Sequence, residues 1–317
     1  MKKTKRNAVL FKEMTVDMKK PKILIIMLLI NMLLIPVVLG FFLAIYIQGN
    51  SGELGYRILA NYFIAMMFTE AGIIAFIVPA VTAGSVSLEK ERQTLDVLLT
   101  TRLTTWEIIK GKYFSSYLTI VLLVLSTMPM MSLVFIYGGI GIWQMIYVFI
   151  VLYVYIAMIA SFGVFFSALT KNTVASVVLT YIFTLSYLVF TAVLPWIVVG
   201  GIELVNLMIY EDHKYFNFIT DQHLIPSDYF IMLGIGNPFY AIFDSIGHTI
   251  GYSIEGIGIQ GVNSLGEILP HTSDKNIVFR MFTPISMVFQ LVVTFILLKI
   301  SAVFLNPVKA KKNKKRK

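Results

Sequence analysis

The side chains best suited to bind a metal ion are concentrated between residues 200 and 283. Histidines are common metal ligands when they occupy i and i+4 of one helix, as in an HExxH motif. No two histidines of this chain have that spacing, so a solvated acidic segment is the favoured interpretation. The sequence has no cysteine, which excludes zinc-thiolate sites, iron-sulfur clusters and a cysteine nucleophile. The residues concerned are His213, His223, His248, His271, Glu211, Asp212, Asp221 and Glu255.

Two short motifs resemble catalytic or nucleotide-binding loops but lack the context that such loops need. The stretch GNSG at 49–52 would need a histidine from a neighbouring helix to activate its serine, and all four histidines lie in 200–283. The stretch GIGIQG at 256–261 has no strand before it. No GxxxxGK[ST] phosphate-binding loop occurs, so the sequence predicts no catalytic residue and no bound cofactor.

Glu70 is a charged residue within the second hydrophobic stretch, 62–86, and would therefore lie inside the membrane. A carboxylate at the centre of a membrane helix costs about 2.5–3.5 kcal/mol on insertion scales, and such residues are often functional. Two interpretations stay open: a protonated or capped structural residue, or part of a polar transport path.

The candidate residues above must be positioned by helices, and the sequence has hydrophobic stretches long enough to cross a bilayer as helices. Of the 317 residues, 57% are hydrophobic and 14% charged, whereas soluble domains carry about 25% charged residues. A helix needs roughly 20 apolar residues to span the hydrocarbon core. The sequence therefore predicts an all-α polytopic membrane protein with six transmembrane helices, at 23–47, 62–86, 116–137, 142–169, 174–199 and 284–304.

The basic residues indicate how these spans are oriented. Segments 1–22, 88–112, 170–173 and 305–317 hold 21 of the 26 Lys and Arg residues, and 200–283 holds nine Asp and Glu. By the positive-inside rule, both termini and 88–112 are cytoplasmic, and 200–283 is extracytoplasmic. The sequence thus predicts one multi-pass domain, 1–317, in the plasma membrane. The net charge of +9 reflects this topology and favours membrane lipids over nucleic acid as a partner.

The segments outside the spans have patterns of their own. Apolar residues on one face of 1–22 predict a cytoplasmic interfacial helix, and 305–317 forms a basic cytoplasmic tail that suits anionic lipid. Between spans five and six, 225–247 is apolar but interrupted by proline and glycine. Broken helices are therefore expected there rather than another span.

The stretch from Ser87 to Tyr113 is the longest polar interruption between the two ends of the chain. From Thr94 its apolar residues recur at helical spacing, which predicts an amphipathic helix along the cytoplasmic surface. Residues 88–112 hold five basic and four acidic residues, and this near balance suits a protein partner better than lipid alone. The apolar residues are Leu95, Leu98, Leu99, Leu103 and Trp106.

The stretch LEKERQTLDVLLTTRLTTWEIIKGKY resembles the cytoplasmic loop of type-2 ABC exporter permeases. The family pattern is roughly E-[KR]-E-x-G-T-L-[ED]-x-L-L, a short turn, and E-I-[IVL]-x-G-K. Gln93 departs from the pattern where the family has glycine, and the usual proline after the double leucine is absent. The matching residues are Glu89, Glu91, Thr94, Leu95, Asp96, Leu98, Leu99, Glu107, Ile108, Gly111 and Lys112.

The resemblance implies the membrane-spanning permease subunit of an ATP-driven ABC exporter. It implies a homodimer, or a heterodimer with a second permease, that encloses the substrate path, together with separate ABC ATP-binding subunits that bind and hydrolyse ATP. A coupling helix between spans two and three would dock into those subunits. The implied coupling residues are Glu89, Glu91, Arg92, Thr94, Leu95, Asp96, Leu98, Leu99, Gly111 and Lys112.

Two other functions remain open. An ion-coupled secondary transporter or channel would use Glu70 as its proton or cation site, but it predicts internal repeats and several intramembrane charges, and the sequence shows neither. The second open function is that of a permease-like membrane protein for antimicrobial-peptide resistance. The residues indicate no substrate.

Overall fold

The computed structural model describes residues 21–48, 54–100, 103–132, 142–210, 233–250 and 281–305. These residues form helices and connecting turns and contain no strand. The helices are α1 Pro21–Gln48, α2 Leu54–Thr82, α3 Ser87–Glu91, α4 Leu95–Leu99, α5 Thr105–Leu125, α6 Met128–Met131, α7 Ile142–Leu169, α8 Thr173–Tyr210, α9 Pro238–Ile250 and α10 Phe282–Phe304.

Within the described residues, six helical stretches are long and apolar enough to cross a membrane, which confirms the predicted all-α, six-span class. They are Ile23–Leu43, Tyr62–Glu91, Thr105–Met131, Met145–Leu169, Thr173–Val198 and Phe282–Phe304. The chain is a multi-pass membrane protein.

The residues group into two compact units, 1–141 with 152–185 and 290–317, and 142–151 with 186–289. In the first unit, the part of α7 after residue 151 is mostly buried, with Tyr155 and Phe162 among its enclosed side chains. A Cβ at Gly163 would overlap the side chain of Thr82. Glycine therefore lets α7 approach the end of α2 closely, as small residues do between membrane helices.

The second unit contains the described part of the segment between spans five and six. Asn237, fully buried, accepts a hydrogen bond from the amide of Phe239 at 2.9 Å and precedes Pro238, the first residue of α9. Asparagine as N-cap and proline at the first helical position are preferred helix starts. The Asn237 amide also donates to the carbonyl of Leu188 and to Thr191 Oγ1, both at 3.0 Å. These bonds join the start of α9 to α8.

The third span begins earlier than the sequence predicted. We expected it to start at Ser116, but α5 starts at Thr105. The hydropathy pattern excluded 105–115 because of its charges, whereas the structure buries Lys112 in the helix by pairing it with Glu89. The fifth span also continues as helix to Tyr210.

Several predictions fall on residues outside the described part of the chain. These are the interfacial helix in 1–20, the basic tail from 306, the GNSG stretch at 49–52, the GIGIQG stretch at 256–261 and three of the histidines, His213, His223 and His271.

Candidate functional site

The site is the polar segment between α2 and α5, which contains the two short helices α3 and α4. Helix α2 ends at Thr82, and a turn over 83–86 leads directly into α3. The amides of Val86 and Ser87 at the start of α3 both donate to Ser167 Oγ of α7, each at 2.8 Å. The first amides of a helix have no acceptor within it, and here a side chain from another span satisfies two of these groups.

Glu89 in α3 and Lys112 in α5 form a salt bridge, with 2.7 Å between Lys112 Nζ and Glu89 Oε1. The Lys112 side chain is 3% exposed and the Glu89 side chain 29% exposed. A buried ammonium is stable only when an opposite charge and hydrogen bonds replace its hydration. The pair therefore explains how a lysine lies in the second turn of a membrane-spanning helix.

Lys90 and Glu91, the next two residues of α3, contact the connection between α7 and α8. Lys90 Nζ donates to the carbonyl of Ala168, in the last turn of α7, and to the carbonyl of Thr170 at 3.0 Å. Glu91 Oε2 accepts from the amide of Thr173 at 3.1 Å and from its hydroxyl at 2.6 Å. Thr173 is the first residue of α8. Three successive charged residues thus bind three different spans.

Helix α3 ends in a Schellman motif with Gln93 in the left-handed region, φ 59°. The amide of Thr94 donates to the carbonyl of Glu89 at 2.9 Å, and the amide of Gln93 to the carbonyl of Lys90 at 3.1 Å. Glycine is the usual residue at this position because it has no Cβ to clash. This geometry explains the glycine of the family pattern, which glutamine replaces here.

Helix α4 presents one buried and one exposed face. Leu95 is buried, Leu98 and Leu99 are half-buried, and Val97 is 69% exposed. Of the polar residues predicted to couple to a partner, Arg92, Thr94 and Asp96 are also exposed. We call Arg92, Thr94, Asp96 and Val97 the α4 surface. By contrast, Gly111 and Lys112 are buried within this chain.

The apolar residues at helical spacing from Leu95 to Trp106 belong to two helices, not one. Helix α4 ends at Leu99, and a new helix starts after Thr104. Thr104 Oγ1 accepts from the amide of Glu107 at 3.3 Å, and the Glu107 carboxylate accepts from the amide of Thr104 at 2.8 Å. This reciprocal capping box begins a helix at Thr105, so the apolar spacing across the break is not that of a continuous helix.

Trp106, in the first turn of α5, lies next to the last span. Lys299 Nζ of α10 is 4.5 Å from the centroid of the Trp106 ring, and Lys110 Nζ is 5.3 Å from it. Phe295 of α10 packs edge-on against the same ring, with 6.1 Å between ring centroids. Cation–π contacts at such distances are stabilising. They place Lys299 against an aromatic side chain at the start of α5.

Glu70 lies in α2, away from the polar segment, and is 1% exposed. The Thr127 hydroxyl, in the turn between α5 and α6, is 2.6 Å from Glu70 Oε1 and donates to it. Its other oxygen, Oε2, has no hydrogen-bond partner among the described residues. No described lysine or arginine forms a salt bridge with it either. The structure therefore places Glu70 in a contact between spans two and three, and its predicted part in a transport path stays a prediction.

Sequence reasoning missed several residues of this site. The T-x-x-E spacing of Thr104 and Glu107 is a readable capping signal that the apolar periodicity obscured. The contacts of Lys90 and Glu91 join residues about eighty positions apart, and no local pattern indicates them. Ser167 likewise has no signal in the sequence that marks it as a cap for α3.

Comparison with protein-family models matches residues 7–226 to the ABC-2 family transporter protein model. The match covers more than half of the 317 residues and includes the whole polar segment. A search among curated proteins found no match.

Proposed function

We propose that this chain, which belongs to the ABC-2 family of transporter proteins, is the permease subunit of an ATP-driven exporter. In this proposal the α4 surface docks into a separate ATP-binding subunit. The family match supports the assignment as a membrane-spanning permease of an ABC transporter. The observation that supports docking is the exposure of the α4 surface, next to three charged residues, Glu89, Lys90 and Glu91, that bind the chain's own spans.

The geometry suits the transmission of force. Helix α4 has five residues and packs through Leu95, while α3 beside it is bonded to α5, α7 and α8. A movement imposed on the α4 surface would therefore reach rigid transmembrane helices rather than a flexible loop. ATP would bind the partner subunit, because this sequence has no phosphate-binding loop of the GxxxxGK[ST] type.

The topology and the assembly follow from the same proposal. The α4 surface and both termini lie in the cytoplasm, in agreement with the distribution of basic residues. Two permease chains, either two copies of this one or one copy with a related permease, enclose the path. The substrate passes through this path by alternating access as the docked subunits close on ATP.

The substitution Val97→Asp tests the docking. Val97 is 69% exposed, so a carboxylate there leaves the fold intact but introduces a charge into the centre of the proposed interface. Buried charges without a partner weaken interfaces strongly. We expect the tagged variant to lose the ATP-binding-cassette subunit that co-purifies from native membranes, together with the associated ATPase activity.

Val174→Asp is the matched control. Val174 is 75% exposed, in the first turn of α8, where a negative charge suits the helix dipole. The control should retain the subunit, identified by mass spectrometry, and its ATPase activity. Full retention of both by Val97→Asp would refute docking through α4.

A further inference from the structure

We propose that Lys90 and Glu91 are positioning residues that join the α7–α8 connection to the α4 surface. Spans four and five would then move together with α3 and α4. This inference rests on the proposed function, because it concerns the route by which a movement of the docked subunit reaches the spans.

The charges of the two residues match the helix ends that they contact. A helix carries partial negative charge at its C-terminal carbonyls and partial positive charge at its N-terminal amides. The Lys90 ammonium binds the carbonyl of Ala168 at the end of α7, and the Glu91 carboxylate binds the amide of Thr173 at the start of α8. The order Lys-Glu therefore fits the order in which the chain leaves α7 and enters α8. Neither side chain could take the place of the other.

The N-terminal end of α3 is attached to the same two spans. Ser167 of α7 accepts from the amides of Val86 and Ser87. Ser176 of α8 donates to the carbonyl of Ala83, in the turn before α3, at 2.7 Å. A five-residue helix that is held at both ends by the same pair of spans cannot rotate relative to them without breaking these bonds.

The attachment of α3 to α5 differs from its attachment to α7 and α8, because it joins one side chain to another. The side chains of Glu89 in α3 and Lys112 in α5 form a direct hydrogen bond. The bonds from 83–91 to α7 and α8 use backbone groups as well as side chains. Removing the Lys90 and Glu91 side-chain contacts should therefore loosen the C-terminal end of α3 from the α7–α8 connection. Ser167 and Ser176 would still hold the N-terminal end of α3, and Glu89 would still hold α5.

The first experiment uses the purified chain without a partner. The chain contains no cysteine, so spin labels attach only at introduced positions. We would label Val97→Cys with Val174→Cys, which are 69% and 75% exposed in α4 and α8, and measure the label-to-label distance distribution in lipid nanodiscs. The otherwise unchanged chain should give a single narrow distribution, and the double variant Lys90→Met, Glu91→Met, which removes both side-chain contacts, a broader one.

Two further variants separate positioning from surface charge. The exchange Lys90→Glu with Glu91→Lys keeps the net charge but opposes both helix dipoles, so it should broaden the distribution as much as neutralisation does. Lys110→Met, which removes one lysine of α5, should leave it narrow. Size-exclusion chromatography checks that each variant is folded. A narrow, unshifted distribution in both Lys90/Glu91 variants would overturn the inference.

The second experiment uses the complex that co-purifies with the ATP-binding subunit. A single label at Val174→Cys reports on α8, and one at Phe114→Cys, 44% exposed, reports on α5. Trapping with ATP and vanadate should change both spectra in the otherwise unchanged chain. With Lys90→Met and Glu91→Met, the change should persist at position 114 and become smaller at 174. An undiminished change at 174 would overturn the inference.

The two experiments distinguish the inference from the proposed function. Absence of any nucleotide response at positions 114 and 174 in the unmodified complex would refute the proposed ATP coupling. The distances measured without a partner would still decide whether Lys90 and Glu91 hold α7 and α8 to the α4 segment.

Discussion

Neutralising Glu89 and neutralising Lys112 should destabilise the protein to different extents, because the two side chains of this salt bridge are buried to different extents. Lys112 is 3% exposed and Glu89 29% exposed, with 2.7 Å between Nζ and Oε1. Glu89→Gln leaves a buried ammonium without this carboxylate. Lys112→Met leaves a carboxylate on a side chain that is 29% exposed, although its Oε2 is buried without a hydrogen-bond partner among the described residues. It also puts an apolar side chain of similar length into the buried position. We expect the glutamate substitution to be the more damaging of the two.

The magnitude follows from the separation and the burial. At 2.7 Å and an effective dielectric constant near 20, the attraction between unit charges is about 6 kcal/mol. Desolvation of two ions, at several kcal/mol each, offsets most of this, so the intact pair contributes little net stability. Breaking such a pair on one side costs about 3–5 kcal/mol. The double variant Glu89→Gln, Lys112→Met should therefore be less destabilised than Glu89→Gln alone.

The assay is the midpoint temperature at which the folded peak is lost in size-exclusion chromatography of detergent-solubilised protein. For Glu89→Gln we expect a fall on the order of 5–10 °C, and for Lys112→Met a smaller fall. Lys110→Met is the matched control, because Lys110 is on the same helix and half-exposed. Its midpoint should change by only a few degrees.

The decisive comparison is the double variant. If it loses as much stability as the sum of the two single variants, then the two charges do not depend on each other, and the explanation for the buried Lys112 is wrong. A Lys112→Met variant that is less stable than Glu89→Gln would also contradict the reasoning, since it would reverse the order set by the exposed fractions of the two side chains.

Three further pairs of substitutions test other parts of the structure. Gln93→Gly should raise the midpoint slightly, because a left-handed φ costs a residue with a Cβ about 1 kcal/mol more than glycine, whereas Gln93→Val should lower it. Thr104→Ala should cost about 1 kcal/mol through loss of the N-cap, and Thr105→Ala, one residue into the helix, should cost less. Glu70→Gln should keep the fold and the ATPase activity of the complex, and Glu70→Ala should be less stable; loss of transport in a stable Glu70→Gln variant would instead favour the ion-coupled alternative.

The sequence predicted those parts of the fold that depend on local composition. Stretches of about 20 apolar residues identified all six spans, because a backbone in lipid must satisfy its own hydrogen bonds. The start of the third span was wrong because hydropathy treats Lys112 as a solvated charge, while its partner Glu89 lies 23 positions away. The apolar spacing from Leu95 to Trp106 did not reveal the capping box at Thr104, which begins a separate helix.

The site was predictable as a segment but not as a set of contacts. The resemblance to a permease loop selected a stretch between spans two and three, and the family match includes this stretch; its part in coupling stays a prediction. Whether a charged residue in that stretch faces outward depends on which helix ends lie beside it in three dimensions. Glu91 and Asp96 are both exposed acidic residues, yet Glu91 binds the first residue of α8 and Asp96 belongs to the α4 surface.

This division within one loop has a consequence for how a partner would be recognised. A residue whose charge satisfies a helix end of its own chain cannot also supply that charge to an interface without releasing the helix. Glu89, Lys90 and Glu91 would therefore determine how firmly the segment is attached to the spans, and the α4 surface would determine what binds it. Exchanging α4 residues for those of another permease should alter the choice of ATP-binding subunit, whereas substitutions in α3 should weaken coupling to any subunit that docks.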